Sequence, residues 1–217
     1  MSLLQNLLRA ETAVKYVEQH LRGKASNKPE DIFHTLQRNL IADYGETDPE
    51  GVGEILGMPV VVRTKCHEIH LSRITEINNK RDARREVGER LNAGAIIRDG
   101  LGNCFEHAVL ACHYLNGIGV SSYMVTADDS TNHVFVVIGV AGGLDGTTVN
   151  VAPNAAPGAP LGTGTSVVCD PWYHEWFAIQ QDWARKMNRI LSTTNKRNPP
   201  VLPAQIPLTL TSSIHVT

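Results

Sequence analysis

Arg98-Asp99-Gly100-Leu101-Gly102-Asn103-Cys104-Phe105-Glu106-His107-Ala108 runs from a glycine-rich turn straight into an apolar helical pattern. That reading puts the Cys104 sulfur at a helix N-terminus, where unpaired backbone N–H groups and the helix dipole favour a thiolate. Working outward, the next strongly patterned stretch is His133-Val134-Phe135-Val136-Val137-Ile138-Gly139, an apolar strand opened by a histidine. After it comes Val167-Val168-Cys169-Asp170-Pro171-Trp172, an apolar run closed by an acid. A cysteine at a helix start, a histidine at a strand start and an aspartate at a strand end supply a nucleophile, a base and a group to orient the base. The chain reads as a cysteine-nucleophile enzyme in which Cys104 attacks, His133 moves the proton and Asp170 orients His133.

Each residue alone has a plainer reading. Cys104 fits a buried structural cysteine, His133 a satisfied strand-end histidine, and Asp170 the first residue of an Asp-Pro turn. Their order and context together turn the reading to catalysis. Composition narrows the alternatives. A chain of 217 residues with a formal charge of −2 can bury one substantial core and carries no basic cluster, so nucleic acid is not an expected partner. Cys66, Cys104, Cys112 and Cys169 have no disulfide-framework spacing. No apolar stretch is long enough to span a bilayer. Met1 to Leu21 is interrupted by Arg9, Glu11, Lys15 and Glu18, so it is not a secretory signal. The expected location is the cytoplasm, or outside the cell by a route that needs no such signal.

One papain-like catalytic domain is expected over 1–217: a helical N-terminal region (1–57), a catalytic core (95–192) and an extended tail (193–217). Leu3, Leu4, Leu7, Leu8, Val14, Val17 and Leu21 recur at helical spacing, and a second helix begins near Pro29-Glu30-Asp31. Pro59 to Val62 and Glu68 to Leu71 suit short strands, and Asn78 to Leu91 a charged helix. Cys104 to Leu115 should be helix, Val120 to Thr126 and His133 to Val140 strands, the second buried on both faces. Ala141 to Thr165 is a long loop rich in Gly, Ala and Pro. Ser166 to Asp170 is a short strand, and Glu175 to Leu191 an amphipathic helix. Pro199, Pro200, Pro203 and Pro207 leave the tail extended.

The stretch from Arg98 to Trp172 resembles the catalytic core of the transglutaminase-like branch of papain-like cysteine enzymes. The likeness rests on Gly102-Asn103-Cys104, Leu115-Asn116-Gly117-Ile118-Gly119-Val120, Asn132-His133-Val134-Phe135-Val136 and Val167-Val168-Cys169-Asp170-Pro171. It covers about a third of the chain. It implies an α+β fold with the Cys-bearing helix packed on an antiparallel sheet that carries the histidine and the acid, with extra N-terminal helices added. It also implies acyl transfer on an amide, as in glutamine deamidases, transglutaminases, thiol proteases and bacterial effector toxins. The expectation is a hydrolase or acyltransferase acting on a protein substrate, of the kind a bacterial effector uses, with no cofactor. A protease with the same Cys-His-Asp triad is the first alternative. A protein-binding module with a vestigial triad is the second.

The sequence departs from the family pattern at Ala141 to Thr165, where relatives often have a tight hairpin. This insertion reads as a lid or recognition loop, and Asp145 within it is a weaker candidate for orienting His133. Asp128 and Asp129 read as solvated turn residues. For the oxyanion, the Cys104 backbone N–H is the natural donor, with Asn103 as a side-chain donor or a helix cap. Trp172 is expected to wall the site or to be a core aromatic. Glu106 and His107 are expected on a solvated helix face. Cys66-His67-Glu68-Ile69-His70, with His107, Cys112 and His113, is the competing metal constellation, but it lacks CxxC or HExxH spacing, so no metal is expected.

Overall fold

The computed structural model describes residues 1–21, 72, 75–84, 86, 92–127, 133–194 and 204–215. The expected helix near Pro29, the strands at 59–62 and 68–71, and Cys66 to His70 lie outside these. Helix α1 (Leu3–His20) starts at a reciprocal cap: the Gln5 N–H donates to Ser2 Oγ, and the Ser2 N–H to Gln5 Oε1. Residues 75–84 are helical, matching the start of the expected charged helix. Two helices then bracket the glycine-rich turn, α2 (Ala93–Asp99) and α3 (Cys104–Gly117). Strands β1 (Ser122–Ala127), β2 (His133–Ile138), β3 (Thr148–Val151), β4 (Val167–Asp170) and β5 (Glu175–Ala178) follow, then helix α4 (Ile179–Thr194) and strand β6 (Ile206–Ser212).

The fold is α+β. Its six strands form one antiparallel sheet in the order β3-β6-β1-β2-β4-β5. Strand β2 lies inside the sheet and is buried at every position. That burial explains why it is almost purely apolar rather than alternating. Val134, Val136 and Ile138 face α1 and α3, meeting Ala10, Val14, Ala108, Cys112 and Leu115. Phe135 and Val137 face α4, meeting Ile179, Trp183, Met187 and Ile190. The Cys-bearing helix therefore packs on one face of the sheet and α4 on the other. No helix among the described residues is long and apolar enough to cross a membrane.

Three expectations are corrected. Ala141 to Thr165 is not simply a loop: it contributes β3, which pairs with β6 at the sheet edge farthest from β4, and it buries Val151 and Leu161. The C-terminal stretch is not a tail, because β6 sits inside the sheet between β3 and β1. Ile206, Leu208 and Leu210 are buried while the residues between them are less so, the period-2 pattern of a strand. Pro207 is tolerated because it pairs only with Asn150 of β3, the β1 register beginning at Leu208. Finally, Glu175 to Ala178 is strand rather than the first turn of a helix. Trp176 and Phe177 fit both periods, and pairing with Cys169 and Val168 decides for the sheet.

Candidate active site

The turn before Cys104 is built by two glycines with different jobs. Gly100 ends α2 in the left-handed region, φ 62°, and its N–H donates to the Ile96 carbonyl at 2.8 Å. Gly102 has no room for a side chain, since a Cβ there would lie 2.4 Å from Glu106 Cβ. Asn103 is the N-cap of α3 and Cys104 its first residue, so the Cys104 backbone N–H has no partner within the helix. The Cys104 side chain is partly exposed, while Cys112 and Cys169 are buried. Burial pushes the Cys112 thiol up to about 12 and the Cys169 thiol well above its usual range, so both stay protonated near neutrality.

His133 and Asp170 form a fully buried pair: His133 Nε2 lies 2.7 Å from Asp170 Oδ2, with the residues 1% and 0% exposed. Asp170 Oδ1 also accepts the Tyr173 N–H at 3.2 Å, which fixes the carboxylate. Burial by itself would lower the His133 pKa. The Asp170 charge and hydrogen bond, with a smaller contribution from Cys104, outweigh it and lift the imidazole to about 10. The direction of this shift favours the imidazolium form of the ring. Because Nε2 is taken by Asp170, Nδ1 is the nitrogen left for Cys104. Nδ1 is buried and has no hydrogen bond of ordinary geometry among the described residues, while Cys104 is near enough to help raise the ring's pKa.

The strand pattern explains the location. By alternation His133 shares a face with Phe135 and Val137, the face opposite the Cys-bearing helix. It can still act on Cys104 because it is the first residue of β2, where the sheet ends and a side chain can reach round the last rung. Val136 pairs with Cys169; extending that register by one rung sets Phe135 opposite Asp170, with His133 diagonal to the acid on the same face. Aromatic rings close the cage. Trp172 and Tyr173 meet His133 edge-on at 5.7 and 5.6 Å between centroids, and Phe135 stacks at 6.0 Å. Trp172 is buried, and its Nε1–H has no partner among the described residues.

The structure thus brings Cys104, His133, Asp170 and Trp172 to one corner, with Asn103 at the helix cap. The other acids go elsewhere. Asp145 Oδ1 accepts the Ser212 N–H, tying the insertion to β6, so it does not orient His133. Asp128 and Asp129 lie outside the described residues. Glu106 and His107 are not on a solvated face: they are 2% and 5% exposed. Glu106 Oε2 accepts the Asn103 N–H at 2.9 Å and the carboxylate is gripped by Arg81; His107 Nδ1 donates to the Asn103 carbonyl at 2.8 Å. The Asn103-x-x-Glu106 spacing of a capping box was the available signal for Glu106. Among the described residues no group of three His, Cys, Asp or Glu side chains is placed to hold a metal. No protein-family model, no curated protein and no solved structure matches the chain.

Proposed function

We propose that the protein is a cysteine-nucleophile acyl-transfer enzyme with a papain-like, transglutaminase-like core, acting on amide groups of a protein substrate. The observation that carries this reading is the buried His133–Asp170 pair, whose ring also feels the partly exposed Cys104 at a helix N-terminus. A buried ion pair is a poor stabilising device compared with apolar packing, so its presence at a strand end beside a reachable sulfur favours chemistry over architecture. Two buried polar atoms without a hydrogen-bond partner among the described residues, His133 Nδ1 and Trp172 Nε1, lie at this same corner. Buried donors left unpaired are uncommon, and a bound substrate would satisfy them.

In the proposed reaction the Cys104 sulfur, as thiolate, attacks the amide carbonyl carbon. The oxyanion forms against the Cys104 backbone N–H. The C–N bond breaks as the His133 imidazolium gives its proton to the leaving nitrogen, leaving a Cys104 thioester. The now neutral imidazole takes a proton from the second nucleophile, which attacks the thioester carbonyl and releases the thiolate. Water gives a carboxylate, by deamidation of a glutamine side chain or by cleavage of a peptide bond; an amine gives a cross-link. Asp170 keeps the ring oriented and stabilises its charge without taking the proton. We favour glutamine deamidation or transfer, with the bacterial effector role as an analogy of fold.

The decisive measurement is iodoacetamide modification of Cys104 at neutral pH, read on the Cys104 peptide, in the wild type and in His133→Ala. Modification much faster than that of glutathione, lost in His133→Ala, supports the enzyme. Modification no faster than glutathione and indifferent to His133→Ala rejects it in favour of a binding module. Incubation with casein then sorts the reaction by product mass: intact chains with ammonia released, cut chains, or cross-linked chains, each required to vanish in Cys104→Ala.

A further inference from the structure

Glu106 stands in the first turn of α3, two residues after Cys104, and is almost wholly buried. A carboxylate there suits the helix dipole, but its charge also opposes a thiolate in the same turn. The neighbouring helical residues 75–84 answer that charge. Arg81 Nε donates to Glu106 Oε1 at 2.8 Å and Arg81 Nη2 to Oε2 at 2.9 Å, a two-pronged grip. The same carboxylate accepts the Asn103 N–H, and its side chain occupies the space that a Cβ on Gly102 would need. One turn along, on the same helix face, Arg84 pairs with Asp99, the last residue of α2. The two ion pairs therefore straddle the Gly100–Asn103 turn, one just before it and one just after it.

We propose that Arg81 is a positioning residue for the Cys104 nucleophile: it locks the turn through Glu106 and cancels a buried negative charge that would otherwise oppose the thiolate. This rests on the reading of Cys104 as a nucleophile given above. Arg81 does not touch substrate; it acts only through Glu106. Its dependence on Glu106 separates this role from a merely structural one, because removing both charges should restore what removing Arg81 alone takes away. The amide in Glu106→Gln keeps an oxygen for the Asn103 N–H while dropping the charge.

The test is the rate of Cys104 modification by iodoacetamide at neutral pH, with thermal melting to confirm folding. Arg81→Ala should slow modification by about tenfold, the consequence of one unbalanced buried charge. Glu106→Gln should react at least as fast as wild type, and Arg81→Ala/Glu106→Gln should return to within about threefold of it. Arg81→Lys, which keeps the charge, should recover most of the rate. If Arg81→Ala fails to fold, Glu106→Gln and the double variant decide. A Glu106→Gln variant slower than wild type, or a double variant about tenfold slower than wild type, overturns the charge-balancing role. Wild-type Cys104 no more reactive than glutathione instead overturns the enzyme reading, and this inference with it.

Discussion

The strand-end corner and the Ala141–Thr165 insertion each hold an aspartate and reach a tryptophan, but they use them differently. In the insertion, Asp145 receives a backbone N–H from Ser212, and Ala152 offers its carbonyl to Trp183 Nε1–H at 3.2 Å. Thr163, Thr165 and Ser166 direct their hydroxyls at the Gly139 carbonyl. These are closed contacts that tie chain to chain. At the corner, Asp170 faces a titratable side chain, and both His133 Nδ1 and Trp172 Nε1 end without a hydrogen-bond partner among the described residues. The same residue types are architecture when their bonds end on backbone, and candidates for chemistry when they meet a titratable ring and leave atoms unmatched.

The sharpest way to break this contrast is to remove each aspartate. Asp170→Ala strands a buried imidazolium, and about 3–5 kcal/mol of stability should go with it. Turnover on any accepted substrate should also fall by at least about 100-fold, since the ring loses its orienting partner. Asp145→Ala gives up one backbone hydrogen bond and should cost about 1 kcal/mol with turnover intact. Urea unfolding and product assays read both; equal losses at the two sites would dissolve the distinction.

The pH dependence of stability tests the corner from another side. The His133 pKa is lifted from its ordinary 6.5 to about 10, so the folded protein binds this proton more tightly than the unfolded chain. Its contribution is whole below about 6.5 and is lost as pH rises from there through about 10. Urea midpoints of wild type and His133→Gln should therefore differ most near pH 6 and converge near pH 10 to 11. A gap that stays constant over that range would show that the imidazole is not held as a cation.

The smallest effect compares the two tryptophans. Trp183→Phe forfeits a made hydrogen bond, whereas Trp172→Phe removes an N–H with no partner among the described residues. Trp183→Phe should cost about 1 kcal/mol more than Trp172→Phe, because only the first gives up a hydrogen bond. Turnover should fall only in Trp172→Phe. A larger stability loss at Trp172 would mean that its ring, not its open N–H, explains its place.

What could be read in the chain and what could not divides along physical lines. Cys104 at a helix start, His133 opening a buried strand and Asp170 ending another follow from turn chemistry and hydrophobic period, which are properties of neighbouring residues. The Cys-bearing helix, the strand that follows it and the doubly buried β2 are legible for the same reason. The place of β6 inside the sheet is not, because its partners β1 and β3 lie dozens of residues away and its pattern names no neighbour. Nor does local pattern choose between Asp170 and Asp145 as the acid on His133, or show that Glu106 is buried under Arg81, 25 residues earlier. The sequence by itself determined that Cys104, His133 and Asp170 stand at the ends of elements. Only the tertiary structure decided which ends meet, because burial, pairing and charge balance between distant segments are set by packing and not by spacing along the chain.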